Sequence, residues 1–191
     1  MTISHTSAVE EQPTLATERL RLRPYRLDDA PRIKKLAGER DVAEMTRTIP
    51  HPYPEGEAER WIQQQPMAWQ NGSSVTFAVT LRNKDETIGT VGLFNRQDRE
   101  AEIGYWIGVP FQGEGYCTEA VEALIGFGIA ELGVTRFYAS HLKRNPASGA
   151  VLRNAGLRKI GKDSIVWRDG VSQEQVELYE LLIEDEPPAD D

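Results

Sequence analysis

The chain has 191 residues, 39% hydrophobic and 27% charged, which suits one soluble globular domain with a single sizeable core and is short for two. No apolar run approaches the ~18 residues of a membrane span, and MTISHTSAVEEQPT lacks the basic start and apolar core of an export signal, so no membrane association is expected and the expected location is cytoplasmic. The formal charge of −8, with Glu184, Asp185, Glu186, Asp190 and Asp191 crowded at the end, argues against nonspecific nucleic-acid binding and fits either cationic partners such as amines or a plain solvated tail.

Residues 1–13 read as a flexible leading segment, 14–184 as one domain and 185–191 as an acidic tail. Alternating Leu20-Arg21-Leu22-Arg23 predicts a strand, and Asp28 stands where an N-cap precedes a helix carrying Ile33, Leu36 and Ala37 on one face. Three prolines between residues 49 and 55 exclude regular structure before a second helix with Ala58, Trp61 and Ile62 inward, so 48–56 is a loop suited to substrate contact. Residues 75–81 and 87–94 flank the polar 82–86 as a hairpin, and 102–109 adds a third antiparallel strand.

Helical spacing of Ala120, Leu124 and Phe127 with Val121 and Ile125 predicts a helix over 117–132, in which Gly126 and Gly128 permit close packing on a sheet. A strand at 136–141, a helix at 146–155 stopped by Gly156, a strand at 158–167, a tight turn at Asp169-Gly170 and a strand at 174–183 complete the chain. The order β-α-α-β-β-β-α-β-α-β-β implies an α/β fold with a mixed, strongly twisted central sheet flanked by helices.

The densest chemical signal is Glu102 to Glu119, EIGYWIGVPFQGEGYCTE, a strand running into a glycine-bearing turn that opens a helix. Gln112-Gly113-Glu114-Gly115 lets main-chain N–H groups converge at the positive end of that helix, an arrangement that holds phosphate or pyrophosphate. The P-loop string GxxxxGK[ST] is absent, and Glu119 rather than a third glycine follows Gly113 and Gly115, against a dinucleotide fingerprint. The single Cys117 cannot form an internal disulfide, and Cys117, His5, His51 and His141 show no metal-ligand spacing, so no metal is expected.

The segment Gln112-Gly113-Glu114-Gly115-Tyr116-Cys117 resembles the Q/R-x-x-G-x-G/A pyrophosphate motif of the GNAT superfamily of acyl-CoA-dependent N-acetyltransferases, with Cys117 in place of the final small residue. Glu102 to Ile107 and Tyr116 to Ala120 are closer to the aEIGYwi…GxGyaTEA pattern of its branch of ribosomal-protein N-acetyltransferases (RimJ/RimL-type). Asn145 to Leu157 looks like that branch's NxxSxxVLxKxGF helix, and Thr17 to Arg23 with Asp28-Asp29-Ala30 resembles its opening strand and helix start. The resemblance spans residues 14–184 and implies a GNAT-like fold, acetyl-CoA as acyl donor and a primary amine as acceptor.

By that resemblance Ile107, Gly108, Val109, Gln112, Gly113, Glu114, Gly115, Tyr116, Cys117, Thr118 and Asn145 would hold acetyl-CoA, with a backbone N–H between Trp106 and Val109 polarising the acetyl carbonyl. An attacking alkylammonium must lose a proton and the departing thiolate must usually gain one. Glu102 is the candidate base through water; its alternative is a strand-edge carboxylate that orients the acceptor or pairs with an arginine, and Asp98 and Glu100 are weaker candidates. The family's tyrosine acid falls at Leu152, so Ser148 is the candidate that stabilises the thiolate, its alternative being a first-turn serine bonded to backbone. Asn145 is equally an N-cap before Pro146.

Lys143, Arg144 and Arg153 either meet the phosphates or are solvated. Tyr53, Trp61 and Tyr105 are the acceptor-contact candidates, although Trp61 and Trp69, eight apart on one helix face, also suit core packing. A nucleophilic Cys117 lacks triad partners and reads better as a small packing residue. Three functions stay open: transfer to a protein N-terminal α-amine, whose pKa near 8 asks little of a base; transfer to an aminoglycoside, polyamine or amino-acid-like amine; and a non-catalytic acyl-CoA-binding module. Both monomer and homodimer are compatible with the sequence.

Overall fold

The computed structural model describes residues 11–184, so the acidic tail from 185 and the first ten residues lie outside the described residues. Gln12 already docks, its Nε2 donating to the Thr76 carbonyl at 2.8 Å. One eight-stranded sheet in the order β1-β2-β3-β4-β5-β6-β8-β7 organises the rest. Strands β1 (Leu15–Ala16), β2 (Leu20–Arg23), β3 (Val75–Leu81), β4 (Thr87–Gln97) and β5 (Glu100–Ile107) pair antiparallel, each with the next. Strand β6 (Arg136–Leu142) joins β5 in parallel, and β8 (Gln173–Leu182) then pairs antiparallel with both β6 and β7 (Arg158–Val166).

Two apolar clusters cover the sheet's faces. Strand β3 and the first seven residues of β4 are buried almost throughout, as expected of central strands packed on both sides. On one face α4 (Tyr116–Ala130) and α5 (Pro146–Asn154) seat Val121, Leu124 and Leu152, each 0% exposed, against Leu93, Ile103 and Phe137. Burying each such side chain stabilises the fold by about 1.5–3 kcal/mol. On the other face α1 (Ala30–Ala37) and α3 (Glu57–Gln70) form a smaller cluster of Ala30, Ile33, Ala37, Ala58 and Ile62, joined by Tyr25, Tyr53, Trp61 and Trp106.

Most predicted elements stand within two or three residues of their expected ends, and the differences have local causes. Asp28 is not the cap of α1. A single 3-10 turn at Leu27–Asp29 precedes it, and Asp29 accepts from the Arg26 N–H at 2.8 Å and from both terminal nitrogens of Arg23. A four-residue α2 (Arg40–Ala43) and the two-residue β1 carry too little pattern to be read from sequence. Gly128 does pack tightly, since a Cβ there would lie 2.8 Å from Phe137, but Gly126 faces open space. The β7–β8 connection spans residues 167–172 rather than a two-residue turn: Trp167 N–H donates to the Ser172 carbonyl, and Asp169 caps the N–H groups of Val171 and Ser172.

The stop of α5 follows the chemistry of its sequence. Gly156 takes φ +92°, its N–H donates to the Arg153 carbonyl, and Leu157 N–H returns to the Leu152 carbonyl at 2.9 Å. This is the Schellman pattern, sealed by the buried pair Leu152 and Leu157. Helix α5 is thereby held firmly at its far end, while its first turn faces the site.

Candidate active site

The site begins where β5 and β6 part. They pair only at Glu100 with Arg136, Ala101 with Phe137 and Glu102 with Tyr138, after which each continues without the other. A parallel pair that separates leaves an opening with unpaired main-chain groups along both lips. On the β5 lip, Gly108 N–H donates to the Ile88 carbonyl, so Gly108 belongs to the β4 ladder and its amide is not available to a ligand. Alternation therefore turns the N–H groups of Tyr105 and Ile107 toward the opening. Within the expected 106–109 edge, Ile107 is thus a residue whose N–H faces the opening, while the Gly108 N–H is used by β4.

Beyond β5 the chain makes one 3-10 turn (Val109–Phe111), and Gln112 folds back so that its Nε2 donates to the Ile107 carbonyl at 2.9 Å. Gln112 thus holds the loop to the strand end through its side chain. Gly113 at φ +82° and Gly115 at φ +78° adopt the left-handed region, where an L side chain is strained. Gly115 is the N-cap of α4 and contributes no capping side chain, so the first-turn amides of Tyr116, Cys117 and Thr118 open onto the loop at the helix's positive end. These features fit a pyrophosphate: positions 113 and 115 present no Cβ, and no capping side chain occupies the start of α4.

A clasp from the start of the chain fixes this loop. Arg19 Nε donates to Glu119 Oε2 at 2.6 Å, Arg19 N–H and Thr17 Oγ1 donate to Glu119 Oε1, and Arg19 Nη1 donates to the Glu114 carbonyl at 2.8 Å. The guanidinium also stacks over the Tyr116 ring, 4.7 Å from its centroid. Burial pushes the Glu119 carboxyl up, but the hydrogen bonds from Thr17 and Arg19 outweigh it and hold the group below its ordinary range. Two motifs about a hundred residues apart are therefore one piece of structure.

The two faces of β5 separate the remaining candidates. Glu102, at the last β5–β6 pair, shares its face with Trp106, toward α1 and α3; its Oε2 accepts from Asn95 Nδ2 at 2.6 Å. Glu100 is taken by Arg136 at 2.7 Å and lies farther from the opening. Tyr105 projects from the opposite face, toward α4 and α5. Its Oη stands 2.8 Å from the Ser148 carbonyl oxygen and 2.9 Å from Ser148 Oγ, and burial pushes its ionisation well above the ordinary tyrosine value. Tyr105 was expected on the acceptor side; the structure brings it instead to Ser148.

Asn145 is the N-cap of α5, accepting from Ser148 N–H at 3.2 Å. That bond uses its side-chain oxygen. Cys117 is half-buried, packed against the main cluster, and desolvation pushes its thiol up to about 12, so it is no thiolate at neutral pH. Tyr53 packs beside Gly38, Trp61 meets Tyr25 edge-on at 4.8 Å, and Trp69 turns to Phe127 at 6.5 Å. Trp61 and Trp69 thus belong to different clusters.

None of the three basic candidates points at the loop. Arg153 donates to Tyr179 Oη at 2.9 Å, Lys143 to Gln175, and Arg144 to Glu174 and the Glu44 carbonyl. Arg144 and Arg168 also lie near the Trp167 ring, at 5.4 and 5.3 Å, and Arg168 reaches the carbonyls of Ala43 and Thr46. These contacts tie the β7–β8 turn to α2 and the segment that follows it.

Comparison with known proteins agrees with this geometry. The sequence profile described as "Acetyltransferase (GNAT) domain" matches residues 19–158. The chain is similar to "Uncharacterized N-acetyltransferase p20" of Bacillus licheniformis, 33% identical over 151 residues that cover 78% of this chain and 84% of that one. It is 34% identical over 104 residues to the "Ribosomal-protein-serine acetyltransferase" of Escherichia coli (strain K12), covering 52% of this chain and 56% of the relative. Among solved structures, RimL, described as a ribosomal L7/L12 alpha-N-protein acetyltransferase in complex with coenzyme A, superposes with a TM-score of 0.78 at 21% identity, covering 90% of this chain and 98% of that one. At that identity the likeness is one of fold.

Proposed function

The chain belongs to the GNAT acetyltransferase family and is an N-acetyltransferase, and on that premise we propose that it moves the acetyl group of acetyl-CoA to a primary amine, with a protein N-terminal α-amine as the favoured acceptor. The observation that carries this reading is the parting of β5 and β6 beyond Glu102 and Tyr138, with the glycine-capped start of α4 beside it. A pantetheine arm fits such an opening because its amides find the unpaired main-chain groups of the β5 lip, while the pyrophosphate meets the loop amides. A relative solved with coenzyme A and another named for a ribosomal-protein substrate support the donor and the acceptor class.

When bound, acetyl-CoA supplies the thioester carbonyl and the leaving thiolate. The Ile107 N–H donates to the carbonyl oxygen as charge develops there. Glu102, on the other face of β5, accepts the amine's proton through a water. Ser148 donates its hydroxyl hydrogen bond toward the sulfur, a role suited to a group too weakly acidic to give up its proton. An α-amine, with a pKa near 8, is partly neutral at physiological pH and needs only this modest base, whereas a lysine ε-amine near 10.4 would ask far more.

The experiment is thiol release from acetyl-CoA across equimolar peptides with free α-amines, the same peptides blocked at the N-terminus but carrying lysine, and a set of small amines. Turnover confined to free α-amines is expected, with Glu102→Gln lowering kcat at least tenfold. Turnover confined to small amines would overturn the acceptor assignment, and none with any amine would overturn the proposed reaction.

A further inference from the structure

The pair Tyr105 and Ser148 has a hydrogen-bond count that constrains what it does. A phenol has one hydrogen to give, and a carbonyl oxygen only accepts. At 2.8 Å from the Ser148 carbonyl oxygen, Tyr105 spends its hydrogen there. The hydrogen between the two hydroxyl oxygens, 2.9 Å apart, is then the serine's own. In the resting pair Ser148 therefore donates to the phenol oxygen; when charge develops beside it, the serine turns that hydrogen outward and the phenol turns its own from the carbonyl to Ser148 Oγ, so the serine oxygen stays held while it donates.

The topology places this contact at the opening. Tyr105 lies three positions past the last β5–β6 pair, on the β5 lip, and Ser148 lies in the first turn of the helix that follows the β6 lip. Their bond spans the two lips, on the face opposite Glu102. The chain also lacks a tyrosine at position 152, where leucine stands fully buried.

Resting on the acetyl-CoA reading above, we propose that Tyr105 is a positioning residue, which fixes the Ser148 hydroxyl so that it stabilises the departing thiolate by hydrogen bonding without transferring a proton to it. Burial of the phenol is consistent with this, because a group that resists ionising remains a fixed donor across the working pH range. The product thiolate then leaves the enzyme charged and takes its proton from solvent.

The decisive readout is the thiol of bound CoA, titrated by its thiolate ultraviolet absorbance in the wild type, Tyr105→Phe, Ser148→Ala and the double variant, alongside kcat and the acetyl-CoA Kd. The Phe ring preserves the packing and removes only the hydroxyl. In the wild type the bound thiol should titrate below its ordinary value of about 8.5, returning upward by about one unit in Tyr105→Phe. The same variant should lose kcat about tenfold with Kd within about twofold, and the double variant should fall no further than Ser148→Ala alone. An unmoved thiol titration, or losses that multiply in the double variant, would overturn the role of Tyr105. Wild type that binds CoA but turns over no amine would fail the reaction proposed above while the thiol titration still judges Tyr105; absence of CoA binding overturns both.

Discussion

Arg19 and Glu119, one hundred positions apart, meet at 2.6 Å, and the same guanidinium holds the Glu114 carbonyl of the glycine loop at 2.8 Å. The Arg19 side chain is 43% exposed, so as an ion pair the contact adds little to global stability. Its consequence is local. It sets the path of residues 113–115 before any ligand arrives.

Arg19→Ala and Glu119→Gln should therefore weaken acetyl-CoA binding by about tenfold while shifting the urea midpoint only slightly, because the loop loses its preorganisation and the core loses nothing. Calorimetry against chemical denaturation separates the two effects. A large stability loss with unchanged affinity would mean that the clasp serves the fold alone.

Stability should fall in acid through Asp29. Burial pushes its carboxyl up, but hydrogen bonds from Arg23, the Arg26 N–H and Thr87 outweigh that and hold it below its ordinary range. A carboxyl with a depressed folded-state pKa contributes stability that is complete above the unfolded value of about 3.9 and is lost as pH falls through the folded one. Urea midpoints should thus drop below about pH 4. Asp29→Asn should cost about 3–5 kcal/mol at neutral pH by leaving the buried Arg23 half-paired, and should flatten the acid slope. An unchanged slope in Asp29→Asn would assign acid sensitivity to other carboxylates.

Cys117→Ala should keep full turnover, and iodoacetamide should modify the native thiol far more slowly than the urea-unfolded one. Desolvation keeps the sulfur protonated, and its half-buried place against the main cluster suits any small residue. Loss of turnover with a trapped acetyl-cysteine would restore the covalent route that the geometry disfavours.

Gly149→Ala should destabilise although alanine is the better helix former. A Cβ at 149 would lie 2.5 Å from His141 Nε2, and that ring is itself buried against Tyr179 at 5.4 Å. Such overpacking costs about 1–3 kcal/mol, more than the ~1 kcal/mol of propensity gained. In the double variant with His141→Ala the Gly149→Ala penalty should vanish; a penalty that stays would place the strain elsewhere.

What the sequence revealed and what it hid follow from the range of the forces involved. Periodicity of Val121, Leu124 and Ile125, the alternation at Leu20 to Arg23 and the stop at Gly156 are local signals, and the corresponding elements stand where they were expected. The glycine loop was legible because its backbone demands Gly113 and Gly115. The partner of Tyr105 was not, because a strand residue's face depends on register across β4 and β5, which no local pattern reports. Asp29 rather than Asp28 caps the first helical segment for the same reason: its choice is made by Arg23, arriving from the strand. The basic residues 143, 144 and 153, which sequence left open as phosphate contacts or solvated groups, have amide, carboxylate and phenol partners that no local pattern reports. The Arg19 clasp left one sequence trace, the coincidence of an arginine in the opening strand with a glutamate in the first turn of α4.

The most direct test of the central claim is a calorimetric titration of acetyl-CoA into the wild-type chain and into Gly115→Val, with melting curves to establish that both are folded. Saturable one-to-one binding to the wild type, weakened at least tenfold by a side chain at a position held at φ +78°, is the predicted result. Absence of binding to the wild type, or equal binding to both, would contradict the assignment of the 112–118 loop as the acetyl-CoA site.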